Sequence, residues 1–454
     1  MQIKKLIHFV ARSQTSSAFV LVLQDGAVIT AEDRAMLQAL YSRSPASVFK
    51  HLEKLAKVGS GKFMSQFYVG YAHKSIGDCG DTTIFIENVS MLVAKAIQDW
   101  ALYNGQEVST RYVDFATQPF VNPLGVTDDN PHDLLRKFYL EALPILKDDL
   151  KKRFPIKESE KPDVYEKAVA ARAFDILRGY LPVGAQTSLA WTSNLRQVAD
   201  KLGYLRVHPL KEVRDIADLI EEAVMQAHPN SFSKKRYSAS EEYRENYMKK
   251  GYYFDPPYMV DQVVLTRNSL DHGLLVSSRN FLDDRPDKTE LPKAFAEIGT
   301  LQFEFLLDFG SYRDLARQRA VIQRMPLVTP KHGFHTWYLE ELPEVLKQDA
   351  IKLLYEVKHW WRRATLHRDL DPIVLQYYLP MGYLVPCRIT GDLPALVYLA
   401  ELRAGTTVHA TLRTIAQDVG TVLEDQGVRV YIDRSENGRF DVKRGTQDIV
   451  SKDS

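Results

Sequence analysis

A four-residue motif recurs about 200 positions apart in this 454-residue chain. Residues 181–184 read Leu-Pro-Val-Gly, and residues 379–382 read Leu-Pro-Met-Gly. A Leu-Arg pair at residues 205–206 returns at residues 402–403, so the two offsets are 198 and 197 residues. This period is much longer than the repeats of solenoid proteins and indicates duplication of a whole domain. The repeat therefore constrains the fold to two related halves.

The length leaves ample chain for two hydrophobic cores. We expect one domain over residues 1–232 and a second over residues 258–454, with a linker over residues 233–257. The linker is polar, mixes tyrosines with lysines and arginines, and carries some helical pattern. Basic and aromatic residues also alternate in surfaces that bind single strands. Three glutamates lie among these bases, so we interpret the segment as a linker that packs on its own domains.

Charge and cysteine content exclude several classes of protein. The 59 basic and 58 acidic residues give a net charge of +1, which argues against a general nucleic-acid or membrane-surface binder. No apolar run reaches the length of a membrane span, and no signal-peptide core follows Met1. Cys79 and Cys387 are too few for a disulfide framework, and the histidines show no metal-ligand spacing. We expect a cytoplasmic protein without a metal.

Residues 71–115 carry the clearest local pattern. A polar turn leads into residues 82–86 (Thr-Thr-Ile-Phe-Ile), which are typical of a strand. Apolar residues at helical spacing then predict a helix to about Trp100, with Ser90 as its N-cap and residues 104–105 (Asn-Gly) as its end. Near the N-terminus, residues 17–30 predict a hairpin that turns at Asp25-Gly26.

Residues 106–112 place a carboxylate, a hydroxyl and a guanidinium close together in what we expect to be an extended segment. Ser109 and Arg111 are two residues apart, so on a strand they would point the same way. A hydroxyl beside a guanidinium can hold a phosphate group. A solvated strand edge with a structural ion pair to Glu107 explains the same residues.

The stretch resembles the core of the flavin-dependent thymidylate synthases. Their pattern is a Gly-His-x-Ser turn, a strand, a helix that ends in Arg-His-Arg and, after a spacer, Ser-x-Arg-Tyr. Residues 72–75 (Ala-His-Lys-Ser) match the turn and residues 109–112 (Ser-Thr-Arg-Tyr) match the end. Residues 99–101 are Asp-Trp-Ala, so the Arg-His-Arg motif, which holds flavin in the family, is lost in this half.

The resemblance continues through residues 166–230. The family has an arginine three residues before Leu-Pro, an Asn-x-Arg further on, and a Leu-Arg at the end of the next helix. Arg178, Asn194, Arg196 and Arg206 occupy these positions. An isolated arginine is more typical of a surface or packing residue. In register with Ser109 and Arg111, the set implies that arginines hold the phosphate and uracil of a nucleotide and that the Asn-x-Arg pair contacts flavin.

The second half resembles the family more weakly. Residues 303–305 predict a strand, and the helix after it is expected to end in residues 317–319 (Arg-Gln-Arg), close to Arg-His-Arg. The Ser-x-Arg segment is replaced by residues 325–328 (Met-Pro-Leu-Val). The two halves thus look like diverged copies that kept complementary parts of one site.

The resemblance implies a role for each matched residue. The substrate-binding set comprises Glu107, Ser109, Arg111, Arg178 and Arg206. The cofactor-binding set comprises His73, Asn194, Arg196, Arg313, Arg317, Gln318, Arg319 and His409. The residues expected to act in catalysis are Ser109, Arg206 and Arg403.

The family further implies an α/β (α+β) fold with two tandem domains, each a curved, mostly antiparallel sheet with packed helices. It implies an FAD-dependent methyltransferase that uses methylenetetrahydrofolate and NADPH to convert deoxyuridine monophosphate (dUMP) to thymidylate. A homodimer would mimic the family's homotetramer. Because both motifs are broken, two alternatives stay open: a relative that modifies another pyrimidine nucleotide, and a non-catalytic scaffold that binds nucleotide or flavin.

Overall fold

The structure, a computed structural model, describes residues 8–23, 29–44, 46–158 and 160–435. The strands are β1 (His8–Arg12), β2 (Phe19–Leu23), β3 (Asp81–Ser90), β4 (Asn104–Glu107), β5 (Gln186–Asn194), β6 (Tyr253–Phe254), β7 (Val264–Asn268), β8 (Thr300–Asp308), β9 (Ile322–Gln323), β10 (Met325–Pro326) and β11 (Leu384–Asp392). Helices and mostly antiparallel sheets alternate along the chain, which confirms the mixed α/β class.

The helices are α1 (Ala31–Tyr41), α2 (Val48–Val58), α3 (Gly61–Phe63), α4 (Met91–Gln98), α5 (Pro131–Arg153), α6 (Pro162–Leu177), α7 (Leu195–Leu205), α8 (Lys211–Ala227), α9 (Ser238–Lys250), α10 (His272–Ser277), α11 (Arg279–Asp283), α12 (Phe309–Leu315), α13 (Thr336–Glu340), α14 (Glu344–Arg368), α15 (Pro372–Leu375), α16 (Leu393–Arg403) and α17 (Ala410–Asp425). A π-helix, Met64–Gly70, follows α3 directly.

The described residues divide into two compact units. The first unit lies within Met1–Tyr112 and Gln186–Tyr252, and the second within Val113–Ala185 and Tyr253–Ser454. Residues 113–185 belong to the first half of the sequence, yet they pack in the second unit. The compact units thus differ from the sequence halves, and the two-domain division at residues 232 and 258 stays a prediction about the repeat.

The first unit is built on an antiparallel sheet in the order β1-β2-β3-β5-β4. Alternate residues of β3 point to opposite faces, so Ile84 and Ile86 are buried while Phe85 is half-exposed. Helix α8 packs on β1 and β2 with an apolar stripe that includes Ile216 and Ile220. This explains why the β-branched run after residue 81 forms a central strand.

The second unit holds the antiparallel sheet β7-β8-β11-β9 and a short parallel pair, β6 and β10. In β8, Leu301, Phe303 and Phe305 alternate with more exposed residues and are fully buried. Helix α14 packs against α5, and α5 packs against α6. Helices α5 and α14 are the longest of the described helices, with 23 and 25 residues.

The two Leu-Pro-x-Gly motifs contact each other directly within the second unit. The N–H of Val183 donates to the carbonyl of Leu379 at 2.8 Å, and the N–H of Met381 donates to the carbonyl of Leu181 at 2.9 Å. Pro182 and Pro380 form a bridge between them. Each of these contacts maps onto its counterpart when residue numbers shift by 198, so the pairing has local two-fold character.

Several local predictions need correction. Ser90 is the N-cap of α4, as predicted, and accepts a hydrogen bond of 3.2 Å from the N–H of Val93. The predicted end of that helix is wrong, because α4 ends at Gln98 and Asn104 begins strand β4. The Asn-Gly pair enters a sheet edge because β5 offers it backbone partners. The hairpin turn at Asp25-Gly26 lies outside the described residues.

The predicted linker is largely ordered structure. Helix α9 covers half of it and packs on α7 in the first unit. Met248 is buried on its inner face, and Arg244 lies over the ring of Tyr204 at 5.7 Å. This part of the segment is thus anchored to its own unit.

Candidate functional site

The proposed phosphate grip in the first unit lies beyond the end of a strand. Strand β4 ends at Glu107, and Thr110–Tyr112 form a turn of 3-10 helix. The prediction that Ser109 and Arg111 lie on a strand and point the same way is therefore wrong. Both residues are nevertheless exposed, while Thr110 between them is buried.

Glu107 belongs to a buried polar cluster. Its Oε2 lies 3.1 Å from the Nζ of Lys95 and accepts a hydrogen bond of 3.1 Å from the Nε2 of Gln98. The Lys95 side chain is only 2% exposed, so this carboxylate balances a charge that would otherwise be buried without compensation. The structure gives Glu107 a structural partner, in line with the ion-pair interpretation.

The cofactor-side residues of the first unit surround the start of α7. Asn194 caps the helix by accepting a hydrogen bond of 2.8 Å from the N–H of Gln197. The Nε of Arg196 lies 2.7 Å from Asp78 Oδ1, in a geometry too bent for a hydrogen bond. His73 is exposed in the turn before a 3-10 helix.

The altered motif at residues 99–101 is occupied by a packed tryptophan. The indole Nε1 of Trp100 donates to Gln197 Oε1 at 2.8 Å, and the Nζ of Lys201 lies 5.4 Å from its ring. Lys201 also donates to the carbonyl of Asp99 at 2.7 Å. Burial, only partly offset by Asp99, lowers the pKa of Lys201 to about 8. Side chains of α7 thus contact the residues that follow α4, where the family has its Arg-His-Arg motif.

Arg206 lies in an ion-pair network at the end of α7. Its Nη1 is 3.4 Å from Glu221 Oε1, and its Nη2 is 3.5 Å from Glu241 Oε1. Arg236 and Arg244 approach the same two carboxylates at 2.6 and 3.4 Å. Carboxylates therefore already surround the guanidinium that the resemblance assigns to substrate and catalysis.

The strongest cluster of arginines lies in the second unit, around Arg178. This side chain is 7% exposed, and its Nη2 donates to Ser311 Oγ at 3.1 Å. Its Nη1 lies 3.9 Å from Asp314 Oδ2, and its Nε has no hydrogen-bond partner among the described residues. Burial alone would lower the pKa of Arg178, but Tyr338 and Asp314 raise it, so the guanidinium stays charged.

Two more arginines share the field of Asp314. Burial lowers the pKa of Arg403, Asp314 raises it and Arg317 lowers it further. With the Gln318 amide oxygen turned toward Arg403, the Nη2 and Nε of Arg403 lie 2.8 and 2.9 Å from that oxygen. The prediction that this helix ends in residues 317–319 is wrong, because α12 ends at Leu315 and the segment follows it.

The remaining cofactor-side residues of the second unit differ in exposure. Arg317 and Arg319 are exposed, and Arg313 is half-buried with its Nη1 4.0 Å from Met381 Sδ. His409 is buried: its Nε2 lies 3.2 Å from the carbonyl of Asp175, and its Nδ1 faces two hydroxyl groups. The structure therefore brings Arg178, Arg317, Arg403 and His409 into one unit.

We call Arg178, Arg317 and Arg403, with Asp314 among them, the arginine cluster. Three carboxylates act on Arg178, namely Asp314, Asp175 and Asp308, and Asp314 also acts on Arg403. The buried Nε–H of Arg178, which has no acceptor among the described residues, offers an anion a donor. Sequence reasoning missed Asp314 and Ser311. Their spacing before Arg317 carries no family motif, and only the fold brings Arg178 beside them.

The described residues include neither a metal-binding cluster nor a membrane-spanning helix. No group of three or more His, Cys, Asp or Glu side chains is placed to hold a metal ion. No described helix is both long enough and apolar enough to cross a membrane.

The sequence matches a family model described as "Thymidylate synthase complementing protein" over residues 4–230, which is half of the chain. The chain belongs to this family. Alignments with curated relatives cover most of the chain. A UPF0159 protein of Chlamydia muridarum (strain MoPn / Nigg) is 25% identical in an alignment of 410 positions that covers 77% of this chain and 76% of that protein.

Two further relatives carry the same name. The UPF0159 protein of Chlamydia pneumoniae is 25% identical in an alignment of 415 positions that covers 78% of this chain and 76% of that protein. The UPF0159 protein of Thermoplasma acidophilum is 22% identical in an alignment of 460 positions that covers 85% of this chain and 91% of that protein. These three alignments cover more of the chain than residues 4–230.

A solved structure of a UMP/dUMP methylase from Streptomyces cacaoi, bound with 5-Br dUMP, is 17% identical to this chain. It covers 48% of this chain and 94% of its own, with a TM-score of 0.29. An overall superposition of that quality supports no conclusion about this chain.

Proposed function

We propose that this chain is a flavin-dependent, thymidylate synthase-like methyltransferase that acts on dUMP. The family membership of residues 4–230 supports the reaction class. The observation that carries the proposal to a site is the arginine cluster, in which Arg178 of the first sequence half meets Asp314 and Ser311 of the second. One anion-binding site would thus combine residues from both sequence halves. Two halves that had each degenerated independently would not be expected to keep such a shared site.

The residues of this cluster fit a ligand that carries phosphate. The Nε–H of Arg178 is buried without a partner among the described residues, and the Arg317 side chain is exposed. A phosphate oxygen can accept from several such donors at once, and guanidinium pairs with phosphate through parallel hydrogen bonds. FAD and dUMP both carry such groups.

We assign the FAD phosphates to Arg317, with Arg313 and Arg319 beside it, and the nucleotide phosphate to Arg178. Ser109 and Arg111 of the first unit remain candidates for the nucleotide, as do His73, Asn194 and Arg196 for the flavin. When bound, flavin supplies the hydride that converts the transferred one-carbon unit to a methyl group. Methylenetetrahydrofolate would donate that carbon, and NADPH would reduce the cofactor.

The protein's own contribution would be electrostatic. Arg178 and Arg403 stay charged, and a guanidinium beside the uracil ring stabilises negative charge that develops there during carbon transfer. Neither cysteine offers a nucleophile for a cysteine-dependent methyl transfer. Cys387 is buried with a raised pKa, and the pKa of Cys79 is also raised, by burial and by neighbouring Asp78. The proposal therefore rests on arginines and on the cofactor.

The decisive experiment has two readings on the purified chain. Titration with FAD, followed by flavin absorbance at about 450 nm, tests cofactor binding. Incubation with FAD, NADPH, methylenetetrahydrofolate and dUMP, followed by mass spectrometry of the nucleotide, tests turnover. We expect both signals. A protein that takes up no flavin and leaves dUMP unchanged would contradict the proposal.

Two competing functions have specific support. The packed Trp100 and Lys201 close the flavin position of the first half, which favours a non-catalytic binding scaffold. A scaffold would bind FAD or dUMP without turnover. The broken motifs also favour a relative that modifies another pyrimidine nucleotide; cytidine and uridine monophosphates in the same assay would then replace dUMP as the converted substrate.

A further inference from the structure

A chain of buried hydroxyl groups links Arg178 to a carboxylate deep in the second unit. Asp308, Ser311 and Tyr338 are fully buried, and Thr411 is nearly so. Ser311 Oγ lies 3.1 Å from Arg178 Nη2 and 2.7 Å from Thr411 Oγ1, and Thr411 Oγ1 lies 2.6 Å from Asp308 Oδ2. These four residues join three separate parts of the sequence.

Proton counting fixes the direction of this chain. The guanidinium can only donate and the carboxylate can only accept, so Arg178 donates to Ser311 and Thr411 donates to Asp308. The Ser311 hydroxyl can then donate to Thr411 Oγ1 or to His409 Nδ1. Hydrogen bonds aligned from a cation to an anion strengthen one another in a medium of low polarity.

The carboxylate end of the chain is held firmly. Asp308 Oδ1 accepts from the N–H of Ser311 at 2.8 Å and from the hydroxyl of Tyr338 at 2.7 Å. Asp308 is also the N-cap of α12, the helix that precedes Arg317. His409 encloses the chain from a further side, with Nδ1 3.2 Å from Ser311 Oγ and 2.9 Å from Thr411 Oγ1.

We infer that Ser311 is a positioning residue for Arg178, and that Thr411 acts on Arg178 through Ser311. The inference rests on the proposed function, because it explains how that site keeps a guanidinium aimed at an anion. Ser311 occupies one donor of Arg178 and leaves Nε without a partner and Nη1 at 3.9 Å from Asp314. The Nε–H of a fixed guanidinium therefore stays available to a phosphate group.

Thr411 provides the sharper test, because it reaches Arg178 through the hydroxyl of Ser311. Thr411→Val keeps the shape and removes the hydroxyl, whereas Thr411→Ser keeps the hydroxyl. Ser311→Ala removes the direct contact. Thr365→Val is the matched control, since the Thr365 hydroxyl bonds only to carbonyls of its own helix α14 among the reported contacts.

The first measurement compares the affinities of dUMP and deoxyuridine for the full chain by calorimetry. We expect Ser311→Ala and Thr411→Val to weaken dUMP binding about tenfold, to leave deoxyuridine binding unchanged, and Thr411→Ser to restore most of the loss. A purely structural role would lower thermal stability without this preference for the phosphate-bearing ligand. Equal losses for both ligands, or no loss, would overturn the inference.

The second measurement needs no nucleotide and separates this inference from the proposed function. Phenylglyoxal modifies arginine, and peptide mass spectrometry gives the rate at Arg178 in each variant. We expect a several-fold faster reaction in Ser311→Ala and Thr411→Val than in Thr411→Ser or the Thr365→Val control. If the wild-type chain binds no dUMP, the proposed function fails while this rate still decides the positioning role; unchanged rates would refute it.

Discussion

The Nη1 of Arg178 and the Oδ2 of Asp314 lie 3.9 Å apart, although 136 residues separate them in the chain. The contact is longer than a hydrogen bond, so Asp314 shares its charge between Arg178 and Arg403 without being fixed to either. An incoming phosphate would compete with this carboxylate for the same guanidiniums.

Replacement of that carboxylate should strengthen anion binding. We expect Asp314→Asn to raise the affinity for FAD or dUMP about two- to fivefold, a modest change because the Asp314 side chain is 40% exposed and its charge is screened. Titration of both ligands measures the effect. Asp349→Asn, which alters an exposed carboxylate on α14, is the control. Weaker binding by Asp314→Asn would mean that Asp314 orients the arginines instead of competing for them.

The two sequence halves should contribute differently to ligand binding. We expect Arg111→Ala to weaken dUMP binding about ten- to a hundredfold while leaving flavin content unchanged, and Arg317→Ala to do the reverse. Calorimetry for dUMP and absorbance for flavin test both variants. Arg363→Ala removes an arginine from the half-exposed surface of α14 and serves as the control. If Arg111→Ala strips flavin as readily as Arg317→Ala, the division of labour is wrong.

Lys201 should make stability depend on pH in the alkaline range. Its pKa is lowered by burial from 10.5 to about 8, so between these values the unfolded chain binds more protons than the folded chain. The free energy of unfolding should therefore gain up to about 1.4 kcal/mol per pH unit from this group as pH rises from 8 to 10.5. Below pH 8 the buried Lys201 is charged in the folded chain, so its full destabilising effect on the free energy of unfolding remains.

The variant Lys201→Met should lose this alkaline gain. Denaturant unfolding at several pH values measures it, and Lys211→Met, which removes a lysine that is 75% exposed, should behave as the wild-type chain does. Identical pH dependence in both variants would show that Lys201 keeps its usual pKa.

The chain should form a homodimer. The reciprocal contacts between residues 181–183 and 379–381 have the local two-fold character that a duplicated domain would use in place of a partner copy. A dimer of such chains would then reproduce a four-fold set of domains. Light scattering should give about twice the 51.9 kDa chain mass at micromolar concentration. A stable species at the single-chain mass would contradict this expectation.

Local patterns predicted the elements that local forces control. The β-branched run after residue 81 forms β3, and Ser90 caps α4. In each case the deciding interaction joins residues within four positions of one another or follows the alternation of one strand. The end of α4 was predicted wrongly because the Asn-Gly pair finds its partners on β5, more than 80 residues away.

The sequence by itself determined the mixed α/β class, the repeat of about 200 residues and membership of the thymidylate synthase complementing protein family. It also supplied the arginines of the candidate site. Only the tertiary structure decided what surrounds each of them: Arg206 lies between the carboxylates of Glu221 and Glu241, whereas Arg178 donates to the neutral hydroxyl of Ser311. Hydrogen bonds and ion pairs act over about 3–4 Å. The atoms that meet at that distance come from positions more than 100 residues apart in the case of Arg178, so no local pattern records them.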